Sequence, residues 1–161
     1  MRNMEKKEPR GIRNNNPLNI RYSKNNEWVG RIVTEKQDPD FEEFAQMMWG
    51  YRAAFILLKN YMEQGHNTIE KIIKKWAPAK ENNTQKYIET VCKRTGLSRD
   101  EEINFLMPCL MIPLVKAMAY VECGSTPAIE DLHKGYRCVV EKLNFRVLKS
   151  CLDRCCPVPN Y

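Results

Sequence analysis

The chain has 161 residues, of which 43% are hydrophobic and 29% are charged, and its formal net charge is +6. This balance is typical of one soluble globular domain and excludes a disordered or low-complexity chain. The positive charge favours an anionic partner, such as nucleic acid, an anionic lipid surface or the acidic bacterial cell wall. Because the lysines and arginines are dispersed, the sequence argues against a dedicated nucleic-acid-binding stripe.

The N-terminal region has no periodic structure in its sequence. Residues 1–10 are polar, carry no secretory signal and are expected to form a flexible arm. Residues 11–22 (GIRNNNPLNIRY) are rich in asparagine, which predicts turns followed by a short strand. Between residues 22 and 44, short β-like runs are broken by Asn25-Asn26, Gly30 and Asp38-Pro39-Asp40, a pattern that predicts a small β-hairpin or meander.

From Ala45 the hydrophobic period becomes helical, so the fold class is predicted to be mainly α (α+β). Pro108 and Pro113 interrupt the most apolar of these segments, which predicts a late start or a kink there. Helices are predicted at Met47–Gln64, at Ile69–Trp76, at Gln85–Arg94 with Thr84 as its cap, from the capping-box pattern Ser98–Glu101 to Glu122, and at roughly Tyr136–Lys149.

The apolar run over residues 103–121 contains Asn104, Lys116 and two prolines, so we predict a buried core helix and no membrane span. The seven cysteines are expected to be reduced thiols, although those of residues 151–156 could pair in an oxidising compartment. His66 and His133 are isolated in the sequence, and the cysteines lack regular metal-ligand spacing. We therefore predict no metal and no cofactor.

Glu122 is a carboxylate in an unusual position. Met111, Val115, Met118 and Glu122 fall at i, i+4, i+7 and i+11, which is one stripe of a helix, and the first three are apolar. Burial and the negative end of the helix dipole would both raise the pKa of Glu122. A carboxylic acid that stays protonated can donate a proton to a glycosidic oxygen. The alternative is that the helix end frays and Glu122 faces the solvent.

Two sets of residues resemble known cell-wall enzymes. Residues 117–127 (AMAYVECGSTP) resemble the motif that ends the catalytic-Glu helix of lysozyme-like lytic transglycosylases. Residues 10–21, 28–30, 40–44 and 68–91 resemble phage and prophage peptidoglycan hydrolases of lysozyme-like fold. The Asn-rich segment precedes the Glu helix here, the reverse of the conventional order, which a circular permutation would explain. Cys123 stands where these enzymes more usually have serine.

The resemblance implies a lysozyme-like helical domain in which Glu122 is the catalytic acid/base. In lytic transglycosylases one glutamate serves both roles, whereas hydrolysing lysozymes use a second carboxylate. The candidates for such a second group are the acidic residues of the predicted hairpin region. The simpler interpretation is that they are solvated carboxylates in turns and at the start of a helix. These candidates are Asp38, Asp40, Glu42 and Glu43.

Sugar binding requires planar polar groups and aromatic platforms. The alternative for the asparagines is turn formation, and Arg21 is expected to bind a lactyl or peptide carboxylate or to form a salt bridge. For Trp76, which follows apolar residues at helical spacing, packing in the core is favoured over stacking on a sugar ring. The predicted substrate-binding residues are Asn15, Asn16, Asn19, Arg21, Tyr22, Trp28 and Tyr87.

The sequence thus predicts a flexible arm (1–10), a lysozyme-like catalytic domain (11–135), and a C-terminal helix with a Cys-rich tail (136–161) packed on that domain. The predicted function is cleavage of peptidoglycan glycan strands. The protein would be made in the cytoplasm and delivered by a phage, a holin or a secretion route. The alternatives are a non-catalytic cell-wall-binding or virion structural protein that keeps the fold and, less favoured, a basic helical nucleic-acid-binding module.

Overall fold

The structure, a computed structural model, describes residues 7–79 and 83–155, with side chains through residue 144. This part of the chain is mainly helical, as predicted. The predicted arm, residues 80–82 of the segment 68–91 and the C-terminal cysteines fall partly or wholly outside the described residues and side chains. The helices are α1 (Arg10–Arg13), α2 (Met47–Glu63), α3 (Ile69–Trp76), α4 (Thr84–Thr95), α5 (Pro108–Cys123) and α6 (Ile129–Cys155).

Helices α2, α3 and α4 lie where the sequence predicts them, within one residue at each end. Local capping explains this agreement. The Thr68 side chain accepts from the backbone N–H of Lys71 at the start of α3. At α4 the cap is Asn83, whose side chain accepts from the backbone N–H of Lys86, so the predicted cap Thr84 is wrong and is the first residue of the helix. Helix α4 ends at Gly96, whose φ of 74° is a left-handed conformation that glycine adopts without strain.

The start of α5 differs from the sequence prediction. The capping-box pattern Ser98–Glu101 forms turns, and the helix begins ten residues after Ser98, at Pro108. Proline lacks a backbone N–H and disfavours helical geometry in the residue before it, so it is suited to the first helical position. The predicted late start is therefore confirmed, whereas the predicted cap is wrong.

The last helix, α6, begins at Ile129, seven residues before the predicted Tyr136. Glu130 and Asp131 lie in its first turn, where negative charge complements the helix dipole. Helix α6 packs mainly against α2, and α4 packs against both α3 and α5. In the described part of the chain, no helix is long and apolar enough to cross a membrane.

Residues 14–46, called here the N-terminal segment, do not form the predicted hairpin among the described residues. The chain runs from α1 through turns, and isolated bridges join Arg21 to Phe41 and Arg31 to Phe44 without building a strand. The short helix α1 replaces the first of the predicted turns. The segment lies against α2 so closely that a Cβ added to Gly50 would be 2.0 Å from the Asn15 carbonyl oxygen.

Candidate active site

Glu122 lies in the last turn of α5, and the rest of its stripe is in the core. Met111, Val115 and Met118 are fully buried, as predicted, and they fix the direction in which this face of the helix points. The Glu122 carboxylate accepts a hydrogen bond from Asn19 Nδ2 at 3.0 Å on Oε2 and from the Tyr87 hydroxyl at 3.0 Å on Oε1. The side chain is therefore held at the helix end and does not fray into solvent.

The surroundings of Glu122 favour its protonated form. Burial raises the pKa of Glu122, and the hydrogen bonds from Asn19 and Tyr87, together with the nearby Trp76 indole, oppose that rise only in part. Burial and the Glu122 charge hold the pKa of Tyr87 well above its usual value, so its phenol stays neutral and remains a donor. A carboxyl group with a raised pKa and two positioned neighbours is the arrangement that suits a general acid.

Asn19 reaches Glu122 because Asn16 holds the turn that carries it. Asn16 is fully buried, and its amide donates to the carbonyl oxygens of Ile20 at 2.9 Å and Glu42 at 3.0 Å. Its own oxygen accepts from the Ile20 backbone N–H at 2.9 Å. Asn19 has a φ of 50°, a left-handed conformation that asparagine tolerates better than most residues. Asn16 therefore has a structural role, and the structure does not place it where a substrate could touch it.

Three other predicted substrate-binding residues lie away from Glu122. The Asn15 amide donates to the Phe44 carbonyl oxygen at 2.9 Å, which ties the N-terminal segment together. Tyr22 is exposed and contacts the cations of Arg31 and Lys36 with its ring. Trp28 is partly buried against the core. None of these residues lines the cleft next to Glu122.

Cys123, the residue after Glu122, is buried and joins α5 to the N-terminal segment. Its thiol donates to the Pro17 carbonyl oxygen at 3.3 Å. Burial and the Glu122 charge raise the pKa of Cys123 to about 11, so it stays a neutral thiol. Gly11 of α1 packs against it, and a Cβ there would be 2.4 Å from Sγ. Cysteine at this position thus serves packing between two segments.

Glu122 opens into a cleft of about 590 Å³ between the N-terminal segment and the end of α3. Among the described residues that line it, Glu122 is the sole carboxylate. Trp76 lies partly buried on the wall of the cleft, so its assignment to core packing was incomplete. The side chains that line the cleft beside Glu122 include Arg10, Asn19, Arg21, Phe41, Tyr61, Lys75 and Trp76.

Of the four acidic candidates in the N-terminal segment, Glu42 and Glu43 are buried scaffold groups, so the solvated interpretation is wrong for them, whereas Asp40 is exposed. Glu42 is fully buried and its Oε2 lies 2.9 Å from Arg31 Nε. Glu43 is buried and accepts from the backbone N–H groups of Gln37 and Asp38. Asp38 accepts from Asn14 at 2.9 Å and pairs with Arg10, contacts that outweigh burial and lower its pKa.

Comparison with known proteins gives a phage relative. Protein P5 of Pseudoalteromonas phage PM2 is 38% identical to this chain over 132 residues, which are 79% of the chain and 79% of that protein. The chain belongs to the Protein P5 family. No protein-family model matches it. The predicted relationship to phage proteins is thereby confirmed, whereas the name Protein P5 states no activity.

In this member of the P5 family, the candidate chemistry is that of a single carboxyl group. The residues that the structure describes include no group of three His, Cys, Asp or Glu side chains that could hold a metal ion. What the site offers is a carboxyl group of raised pKa at Glu122, neutral donors at Asn19 and Tyr87, and an aromatic wall at Trp76. This set can protonate a leaving oxygen and then remove a proton from a nucleophile.

Proposed function

We propose that this P5-family protein cleaves the glycan strands of peptidoglycan by lytic-transglycosylase chemistry on a lysozyme-like fold. The observation that carries the proposal is the partly buried Glu122 carboxyl, which is held by Asn19 and Tyr87 at the edge of an open cleft. The raised pKa extends the pH range over which Glu122 carries a proton, and the cleft gives a polymer access to that proton. The resemblance of residues 117–127 to the catalytic-Glu motif supports the same assignment.

In the proposed reaction, Glu122 first acts as an acid. It donates its proton to the glycosidic oxygen that links N-acetylmuramic acid to N-acetylglucosamine, and the bond from that oxygen to the anomeric carbon breaks. Positive charge then develops on the muramyl ring. The newly formed carboxylate, which accepts from Asn19 and Tyr87, is stabilised in the charged form that this step creates.

Glu122 then acts as a base. It removes the proton from the C6 hydroxyl of the same muramyl residue, and that oxygen bonds to the anomeric carbon to give a 1,6-anhydro product. Taking up this proton returns Glu122 to its starting state. No water is consumed, because the nucleophile is the C6 hydroxyl. A transglycosylase fits better than a hydrolase because the described residues lining the cleft include no second carboxylate.

The fold assignment belongs to the same proposal. The Asn-rich N-terminal segment and the end of the Glu helix, far apart in sequence, lie side by side through the contacts of Asn19 and Cys123. A circularly permuted lysozyme-like domain predicts this adjacency, because permutation moves the termini without moving the site. Delivery to the cell wall by a phage, a holin or a secretion route is part of this proposal.

The test is digestion of purified sacculi by the wild type and by Glu122→Gln, with the soluble products identified by mass spectrometry. Release of anhydro-muramyl fragments by the wild type is expected, together with a loss of about 10²–10⁴-fold in the variant because its only acid/base is gone. Glu89→Gln is the matched control, since Glu89 is exposed on α4 and lies outside the cleft.

The products separate the alternatives. Fragments with a reducing end would reject the transglycosylase and require a second carboxylate or an activated water. Full activity of Glu122→Gln would reject the assignment of the acid. If folded wild type binds sacculi and releases no fragment, the non-catalytic cell-wall-binding or virion structural alternative replaces the proposal.

A further inference from the structure

A groove lies between the helices α4, α5 and α6, away from Glu122. It consists of two adjoining cavities of about 430 and 410 Å³, which share Ile112, Pro113 and His133. None of the described residues that line these two cavities also lines the cleft next to Glu122. The groove is therefore a separate feature of the helical region, and the proposed cleavage reaction makes no use of it.

The groove carries positive charge from three sides. Arg94, Lys116 and Arg137 line it, one from each of the three helices, and all three are exposed. The described lining residues include no aspartate or glutamate, and none of the three cations forms an ion pair with a carboxylate of the described chain. Arg94 is held by the Tyr120 ring, whose centroid lies 3.5 Å from its guanidinium carbon, and this contact leaves its charge uncompensated.

The lining between these charges is apolar. Ile112, Pro113 and Val140 are half-buried there, and Ile129 is 47% exposed although its side chain is large and hydrophobic. Apolar surface in contact with water costs free energy, so a partner that covers the groove gains from its burial. The groove therefore offers apolar contacts and positive charge to the same ligand.

Pro113 also leaves a hydrogen-bond acceptor without its regular partner. It lies inside α5 and has no N–H to donate to the carbonyl oxygen of Cys109, one turn earlier in the helix. Cys109 is exposed and lines the same cavity as Pro113. The backbone N–H groups of a bound peptide are donors that suit such an oxygen, whereas the phosphodiester backbone of a nucleic acid has none.

The parts of the chain without described side chains do not complement this charge. Residues 145–161 contain three basic side chains and one acidic one, and residues 1–6 contain two basic side chains and one acidic one. A second copy of the chain carries the same net charge of +6. Because like charges repel, the complementary ligand is an acidic one from another molecule.

We propose that this groove binds an acidic amphipathic segment of a partner protein. Carboxylates of the segment pair with Arg94, Lys116 and Arg137, and its apolar side chains cover the lining between them. Nucleic acid phosphates would pair with the cations but would leave the apolar lining in water. The proposal is independent of the cleavage reaction, because none of its residues lines the cleft next to Glu122.

A peptide array tests the proposal without a known partner. The probe is a glass-bound array of random synthetic peptides of about 12 residues, which is enough for about three helical turns. It is incubated with the labelled full-length protein and, separately, with a variant that combines Arg94→Gln, Lys116→Gln and Arg137→Gln. The wild type should select peptides that contain both carboxylates and apolar residues, and the variant should lose them. Selection of neutral or basic peptides, equal selection by both proteins, or no selection would overturn the proposal.

Titration with a selected peptide then measures each charge. Each single variant is expected to bind about twofold to fivefold more weakly at low salt, and the difference should shrink as salt is raised. Lys93→Gln and Arg13→Gln are the matched controls, because Lys93 and Arg13 are exposed and lie outside the groove. Equal losses in the groove variants and the controls would count against the groove. Thermal melting of each variant checks that the fold is intact.

Alkylation of Cys109 locates the bound peptide. This exposed thiol lines the groove, so a saturating peptide should slow its reaction with iodoacetamide several-fold, with the modified residue identified by mass spectrometry. Unchanged reactivity would place the peptide elsewhere and reject the groove as its site. A DNA duplex or anionic lipid vesicles that protect Cys109 better than any peptide would reject the peptide as the partner.

Discussion

The N-terminal segment and the helical region of α2 to α5 both supply partners to Glu122, but different forces hold them in place. The helical region is fixed by apolar burial, with residues such as Phe55, Ile72 and Leu114 fully buried. The N-terminal segment also contributes Leu18 and Phe44 to the core, but it has no regular strand pairing among its residues and is fixed in addition by buried amides and carboxylates, above all Asn16 and Glu42. The helical half of the site therefore depends on packing, and the N-terminal half depends both on packing and on polar groups that satisfy the backbone.

The two halves should respond differently to substitution. An apolar core tolerates changes of shape at a moderate cost, because neighbouring side chains can relax around them. A buried polar group has no such freedom, because each partner that loses its hydrogen bond stays buried and unpaired. The N-terminal segment is thus the more fragile support for the candidate site, although it contains less secondary structure.

The largest effect on stability is expected from Asn16→Ala. The substitution leaves the Ile20 backbone and the Glu42 carbonyl oxygen without their side-chain partner, which should lower the free energy of unfolding by about 3–4 kcal/mol. Urea denaturation measures this change. Asn25→Ala in the same segment is the control, since Asn25 is exposed, and it should change stability by less than about 0.5 kcal/mol. Equal effects of the two substitutions would contradict the polar-scaffold interpretation.

The packing of the N-terminal segment against α2 is tested by Gly50→Ala. Alanine is the better helix former, but its Cβ would lie 2.0 Å from the Asn15 carbonyl oxygen and 2.8 Å from Pro17 Cδ. We expect a net loss of about 2–3 kcal/mol, because the N-terminal segment must move away from α2. Gly65→Ala meets no atom and should cost about 1 kcal/mol through its φ of 87° alone. Thermal melting compares the stability of the two variants. A stabilised Gly50→Ala protein would show that the N-terminal segment packs only loosely against α2.

The helical half of the site is tested by Tyr87→Phe, which keeps the ring and removes the hydroxyl that donates to Glu122. That hydrogen bond lowers the pKa of Glu122, so its loss raises the pKa further. If Glu122 is the acid, activity at neutral pH should fall about tenfold through poorer positioning. The alkaline limb of the pH–rate profile should move to higher pH, because Glu122 keeps its proton longer. Tyr120→Phe on α5 should leave the profile in place.

The smallest effect concerns stability and pH in Glu122→Gln. Because the pKa of Glu122 is raised on folding, the folded chain binds more protons than the unfolded chain between the two pKa values. The contribution of Glu122 to stability is therefore present at low pH and is lost as the pH rises through the folded pKa. Glutamine does not ionise, so the melting temperature of the variant relative to the wild type should be higher at pH 8 than at pH 4. A difference that does not change with pH would mean that Glu122 is not perturbed.

The sequence predicted the helical region well because its signals are local. Thr68 and Gly96 mark helix ends within a few residues of the apolar periods that they limit, and the stripe that ends at Glu122 follows from helical spacing alone. Pro108 determines where α5 starts, although the capping-box pattern predicted an earlier start. Proline lacks the backbone N–H that a helix starting at Ser98 would need at this position, and the cap does not compensate for that loss.

The N-terminal segment was predicted poorly because its contacts are distant in sequence. Asn16 bonds to Glu42 across 26 residues, and no periodic pattern marks either partner. Spacing also gave no sign that Asn19 reaches Glu122, and the sequence predicted Asn19 only as a substrate-binding residue. The exposure of Trp76 on the cleft was missed because its helical spacing matched the core residues before it.

The contact between Asn19 and Glu122 joins residues that are 103 positions apart, and this separation sets when the candidate site can exist during synthesis. Asn19 is made early, but it has no carboxylate to hold until the whole of α5 has left the ribosome. Closing so long a loop is also a late step in folding, because its entropic cost must be met by contacts already formed. A chain released before residue 122 has no acid at all. The proposed site therefore forms only after residue 122 has been made.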